Sequence, residues 1–144
     1  MIVLDTNVIS EVFRPQPHAQ VVAWLESLTG DVAITAVTLA ELLAGVRRLP
    51  DGRRRTVLSA GIDAALQPYR ETRSVLAFDG DAADHYADVL VAREKAGLPI
   101  STADAQIAAI CRAHSASCAT RNTKDFAGTG VELVDPWTAL LPTP

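Results

Sequence analysis

Four acids, Asp5, Glu41, Asp104 and Asp125, stand in short blocks that are otherwise mostly apolar, small or hydroxyl-bearing: MIVLDTNVIS, TAVTLAELLAG, ISTADAQIAAI and TRNTKDF. Gathered into one pocket, such acids cannot all stay charged and bare. Two carboxylates about 4 Å apart repel by roughly 4 kcal/mol at an effective dielectric of 20. Several such pairs would consume much of the roughly 5–15 kcal/mol that holds a domain together. The pocket must therefore take up protons or bind a cation. Oxygen donors with no His or Cys beside them favour a hard ion, Mg²⁺ or Mn²⁺ over zinc. A carboxylate-held ion with open positions suits phosphate chemistry, because it polarises a phosphoryl oxygen and activates water. No Ser-His-Asp or Cys-His arrangement competes for a nucleophile's role, and no phosphate-cradling glycine loop is present.

Whether the acids meet depends on the elements that carry them. Short β-rich runs at Ile2–Leu4, Val32–Ile34, Ser74–Phe78, Ser117–Thr120 and Glu132–Val134 alternate with helical patterns. The helices are expected near Asn7–Phe13, Ala19–Ser27, Thr38–Arg48, Arg53–Gln67, Ala82–Ala96 and Ala103–Ala113. Strands of three to five residues, apolar on both faces and alternating with helices, imply an α/β fold with a mostly parallel central sheet of about five strands. In right-handed β-α-β units, strand ends and the starts of the helices that follow share one edge of the sheet, where ligand sites lie. On this topology all four acids point to that edge. Glu26, Asp84 and Asp88 fall inside helices with nothing to gather them.

Each acid taken singly also fits a helix cap. Thr38-x-x-Glu41, Ser101-x-x-Asp104 and Asn122-x-x-Asp125 resemble capping boxes, and Asp5 can cap the helix after it. Capping accounts for acids at helix starts, but not for four of them beside strand ends in apolar surroundings.

Bulk composition narrows the classes. With 144 residues, 49% hydrophobic and 21% charged, the chain reads as one folded domain over residues 1–144. A net charge of −4 argues against gripping nucleic acid by bulk positive field. Five arginines between Arg47 and Arg55 form a solvated turn between two helices, or else meet RNA or an acidic partner surface. The two cysteines, Cys111 and Cys118, have no zinc spacing and are expected to be free thiols, and the three histidines are scattered. No apolar stretch approaches the roughly 18–20 residues of a membrane span, so a cytoplasmic location is expected.

The four acid-bearing blocks, in this order and followed by VDPW, resemble the PIN-domain ribonucleases. The similarity is greatest to the VapC-type toxins of type II toxin–antitoxin modules, in their FitB-like branch. The resemblance implies an endoribonuclease dependent on Mg²⁺ or Mn²⁺. Asp5 and Asp104 would be the principal ligands, and Glu41 and Asp125 would complete the pocket. Many relatives carry the fourth acid where this chain has Asn122, so Asp125 is either its substitute or its neighbour. Thr6, Thr120 and Asn122 match polar residues that support such sites, and Arg121 and Lys124 are phosphate-contact candidates. The resemblance further implies an RNA substrate, a cognate DNA-binding antitoxin and a homodimer.

Two other classes fit parts of the pattern. A phospho-aspartate phosphatase or receiver-like domain also places an acid after its first strand, but the phosphatase wants another acid at position 7, which is Asn7. A PIN-like protein that only binds would have no need to keep Asp5, Glu41 and Asp104 together.

Overall fold

A computed structural model of the chain describes residues 1–139 and residue 141. The order is β1 (Ile2–Leu4), α1 (Thr6–Glu11), α2 (Ala19–Glu26), β2 (Val32–Thr35), α3 (Ala36–Arg47) and α4 (Arg53–Glu71). There follow β3 (Val75–Leu76), α5 (Gly80–Lys95), α6 (Thr102–Ala113), β4 (Ser117–Ala119), α7 (Thr123–Phe126) and β5 (Leu133–Val134). The five strands form one sheet in the order β3-β2-β1-β4-β5, and every pairing is parallel.

Side chains alternate across the short strands, and the alternation divides the core in two. Val3, Ala33 and Cys118 face one cluster, packed beneath α5 and α6 with Val89, Ile107 and Ile110. Leu4, Ile34 and Ala119 face the other, with Val8, Trp24, Leu42 and Leu66 from α1 to α4. Burial on both faces explains why the strands read as continuous apolar runs rather than alternating ones. No described helix is long and apolar enough to cross a membrane. Both cysteines are buried and free, as expected from their spacing.

Several boundaries differ from the sequence reading. The helix expected to stop at Gln67 continues through Pro68 to Glu71. Pro68 is exposed and lies in the last turn, where it removes only one late intrahelical bond. The strand expected over Ser74–Phe78 pairs only at Val75 and Leu76. The four-residue α7 carried no periodicity of its own and was not anticipated.

Sheet order fixes where chemistry can occur. From β1 the chain winds outward through β2 and β3, then crosses back to lay β4 on the other side of β1. The carboxyl ends of β1 and β4 thus flank the point where the winding reverses, which is where open α/β sheets form crevices.

Candidate active site

Asp5 and Thr120 are the first residues beyond those two strands. The register pairs Leu4 with Ala119, which sets Asp5 abreast of Thr120. The Asp5 N–H donates to the Ala119 carbonyl at 2.9 Å. Asp5 is 4% exposed and Thr120 is fully buried. Three donors hold the carboxylate: the Thr6 N–H to Oδ1 at 2.8 Å, and the Asn7 amide at 3.0 Å and Thr120 hydroxyl at 2.8 Å to Oδ2. Asp5 is therefore the cap of α1, as capping logic anticipated, but a cap that is also buried at the sheet edge. Oδ1 has one donor against two on Oδ2, so it retains the more open lone pairs.

The remaining acids arrive from α3, α6 and α7. Glu41 is exposed on the second turn of α3, and its Oε1 accepts from the Thr6 hydroxyl at 2.8 Å. Thr6 Oγ1 also lies 3.0 Å from Thr38 Oγ1, so one short hydroxyl chain ties the α1 start to α3. The capping box expected at Thr38 and Glu41 does not form. α3 begins three residues earlier with Thr35 as its cap, whose hydroxyl accepts from the Thr38 N–H at 3.1 Å. Thr38 is buried inside the helix, and Glu41 is left free of any capping duty. Ser101 does cap α6, accepting from the Asp104 N–H at 3.2 Å. Asn122 precedes α7 without a side-chain cap bond, while its N–H donates to Thr120 Oγ1 at 3.0 Å.

The acids lie close enough to influence one another in pairs. Burial pushes the Asp5 carboxyl up to about 6; the Thr120 and Thr6 donors pull it down, and the charges of Asp104 and Glu41 push it further up. Burial also raises Asp104, the Ser101 hydroxyl lowers it, Asp125 and Glu41 raise it, and the Arg93 guanidinium opposes them. Asp5 thus feels Asp104 and Glu41, and Asp104 feels Asp125 and Glu41, as neighbouring carboxylates do. Among the described residues, no three acids approach closely enough to hold one ion together. The donor set nevertheless fits a hard divalent cation in kind: oxygen only, several charges, and proton affinities at Asp5 and Asp104 raised chiefly by burial and further by neighbouring carboxylates.

The structure adds residues that the sequence reading did not assign. Asn7 spans the site: its amide donates to Asp5 and, at 3.3 Å, to Thr120, while its Oδ1 accepts from the Arg121 N–H at 3.1 Å. Its place two residues after the acid in LDTN was the available signal. Arg93 lay unmarked inside a helix. It is 5% exposed, and its guanidinium donates to the carbonyls of Ala127 at 2.7 Å and Lys124 at 3.3 Å. It thereby clamps α7, which carries Asp125, and the residue that follows it. No pattern in VLVAREK distinguishes that arginine from a solvated one.

Two measurements check this arrangement. Thr120→Val removes the hydroxyl that stabilises the Asp5 carboxylate, so the Asp5 pKa is expected to rise above about 6. Carbon-detected NMR titration of the cation-free protein reads it, and an unchanged or lower value contradicts the arrangement. Arg93→Gln forfeits charged bonds to two carbonyls and is expected to cost about 2 kcal/mol in urea unfolding.

The groove beside Glu41 is modest. A cavity of about 240 Å³ opens next to Glu41, with Thr6, Ser10, Phe13, Leu42 and Ile62 among its walls. A second, of about 260 Å³, is lined by Leu4, Ile9, Leu25 and Tyr69 and offers little polar chemistry.

Comparison with known proteins is decisive about family. The PIN domain profile matches residues 2–131. The chain belongs to the PIN domain family. It is 39% identical over 138 residues to VapC ribonuclease Y4jK of Sinorhizobium fredii, covering 95% of this chain and 98% of that protein. It is 43% identical over 138 residues to toxin FitB of Neisseria gonorrhoeae, covering 95% and 99% respectively. Among solved structures, FitAB bound to a DNA fragment superposes with a TM-score of 0.91 at 40% identity, covering 97% of this chain and 98% of that one. The expected PIN resemblance and the parallel α/β fold are both borne out. In this PIN domain the buried LDTN aspartate, the helical Glu41 and the α6 aspartate face one edge of the sheet.

Proposed function

We propose that this PIN-domain protein is the toxin of a type II toxin–antitoxin module and an endoribonuclease that hydrolyses RNA phosphodiester bonds. The observation that carries the reading is the buried Asp5 carboxyl at the winding reversal, held by three donors and repelled by Asp104 and Glu41. The similarity to a VapC ribonuclease and to toxin FitB supports the same activity. Asp5 and Asp104, with Glu41 and Asp125, would hold Mg²⁺ or Mn²⁺. When bound, the ion supplies Lewis-acid polarisation of the phosphoryl oxygen and lowers the pKa of water.

The protein's own groups do the placing. Thr120 and Asn7 fix Asp5 Oδ2 and so orient Oδ1 toward the pocket. Thr6 fixes Glu41. Arg121, fully outside the core on the same rim, supplies positive charge for the RNA backbone, with Asn122 beside it. In-line attack of water on the phosphodiester would leave 5′-phosphate and 3′-hydroxyl ends.

A cognate antitoxin with a DNA-binding domain is the partner this reading implies, and similarity to FitAB bound to DNA supports it. We read residues 1–144 as a single domain that works in the cytoplasm as a homodimer. Asn7 weakens the phosphatase alternative, since its amide is committed to Asp5 where that chemistry wants a second acid.

Purified protein incubated with RNA, with Mn²⁺ or with a chelator, tests the proposal. Cleavage is expected only with the cation, and end-labelling should find 5′-phosphates. Equal cleavage in chelator removes the ion from the reading, and no cleavage of any RNA removes the nuclease.

A further inference from the structure

We propose that Arg121, laid over Trp137 at the rim of the acidic pocket, is a seat for one nucleotide of single-stranded RNA, the base stacking on the guanidinium. The inference rests on the nuclease reading and extends it to how the substrate is registered.

The Arg121 side chain is exposed, and its Cζ sits 4.9 Å from the centroid of the Trp137 ring. Among the described residues it forms no ion pair and donates no side-chain hydrogen bond. An arginine serving only to pin the C-terminal segment would be expected to use Asp135 or a carbonyl. Asp135 makes no such pair and serves its own turn, its Oδ1 accepting from the Trp137 N–H at 2.9 Å. The guanidinium thus has aromatic support on one side and open N–H groups at its edge.

Its supports are fixed from several directions. The Trp137 ring packs against the α1–α4 core cluster. The segment after it is tied down by Gln20, whose amide donates to the Ala139 carbonyl at 2.6 Å. His18, the exposed cap of α2, stands with its ring 6.5 Å from Trp137 at a tilt of 54°, closing another side. The Arg121 N–H is held by Asn7, the residue whose amide grips Asp5. Anything resting on the guanidinium is therefore registered against Asp5 through two linked hydrogen bonds.

The chemistry of that surface matches unpaired RNA. Arg guanidinium planes and aromatic rings stack on splayed-out bases, and free N–H edges reach neighbouring phosphates. Every base has a π-face, so such a seat tolerates sequence. An arginine already laid on a ring loses less freedom on binding than one waving in solvent.

The test uses the full-length Asp5→Asn protein, whose binding is read without cleavage, and a short single-stranded oligoribonucleotide. Trp137 fluorescence is expected to be quenched on binding, and the quench should vanish in Trp137→Phe. Arg121→Ala is expected to weaken binding about tenfold, with Arg121→Lys recovering only part of it. Oligoribonucleotides made abasic at each position in turn should show one position whose loss weakens binding comparably. Equal binding by Arg121→Ala, full recovery by Arg121→Lys, or indifference to every abasic position overturns the seat, as does failure of the Asp5→Asn protein to bind RNA. Arg121 is exposed, so its variants keep the test open if Trp137→Phe does not fold. Wild-type protein that binds RNA in this way but never cleaves it would overturn the nuclease and leave the seat standing.

Discussion

Asp5→Asn and Asp104→Asn are each expected to reduce RNA cleavage by more than about a hundredfold while leaving the protein folded. Residues that merely orient a ligand typically cost 10–100-fold when lost, and a ligand itself should cost more. The unusual part is the stability. Most buried polar substitutions destabilise. Here burial disfavours the charge on Asp5 and Asp104 and neighbouring carboxylates add repulsion, so removing one charge relieves both costs. Asparagine still accepts from the Thr6 N–H through its oxygen, although it cannot satisfy all three donors that Asp5 serves. Calorimetry of the cation-free proteins at neutral pH should find the variants no less stable than wild type. Retained cleavage by either variant refutes the assignment, and a collapse of stability refutes the account of a costly buried charge.

The second large effect is a stability that depends on pH and divalent cation together. The folded chain holds the Asp5 proton more tightly than the unfolded one, with a pKa of about 6 against 3.8. Its contribution to stability is therefore complete below about pH 3.8 and is lost as pH rises through about 6. At neutral pH the bare carboxylate costs up to about 3 kcal/mol. Asp104 acts in the same direction. A cation that pairs with these groups should return that stability. At 100 times its dissociation constant it adds about 2.7 kcal/mol, a rise in Tm of roughly 5–10 °C for a chain of this size. Thermal scans with and without Mn²⁺ are expected to diverge above about pH 6 and to converge near pH 4, and Asp5→Asn should not respond. Equal curves at pH 7.5 and pH 4 would show that the pocket holds no ion.

Much of the site was legible because its acids sit where topology is legible. A strand that ends in Asp5 and a helix that opens at Ser101 are short-range patterns, and right-handed crossovers bring them to one edge. Long-range contacts were not readable. Glu41 looked like part of a cap at Thr38, because nothing local says that α3 starts at Ala36 or that the Thr38 hydroxyl meets Thr6 from another helix. Arg93 is decided by α7 and the residue after it, more than thirty residues later, reaching carbonyls that no periodicity announces. Asn7 reads in the sequence only as a missing acid, and two of its three bonds, to Thr120 and from Arg121, depend on β4 lying beside β1.

The pairing of β4 directly with β1 has a consequence for the living cell that makes this chain. One edge of the first strand is taken by β2, but the other waits for a partner more than a hundred residues along the chain, and Thr120, Arg121 and Asp125 arrive only with it. A nascent polypeptide still threaded through the ribosome as far as α6 holds Asp5 and Glu41 without the other half of their pocket. The candidate pocket is therefore assembled late, only once the chain through Asp125 is available to fold.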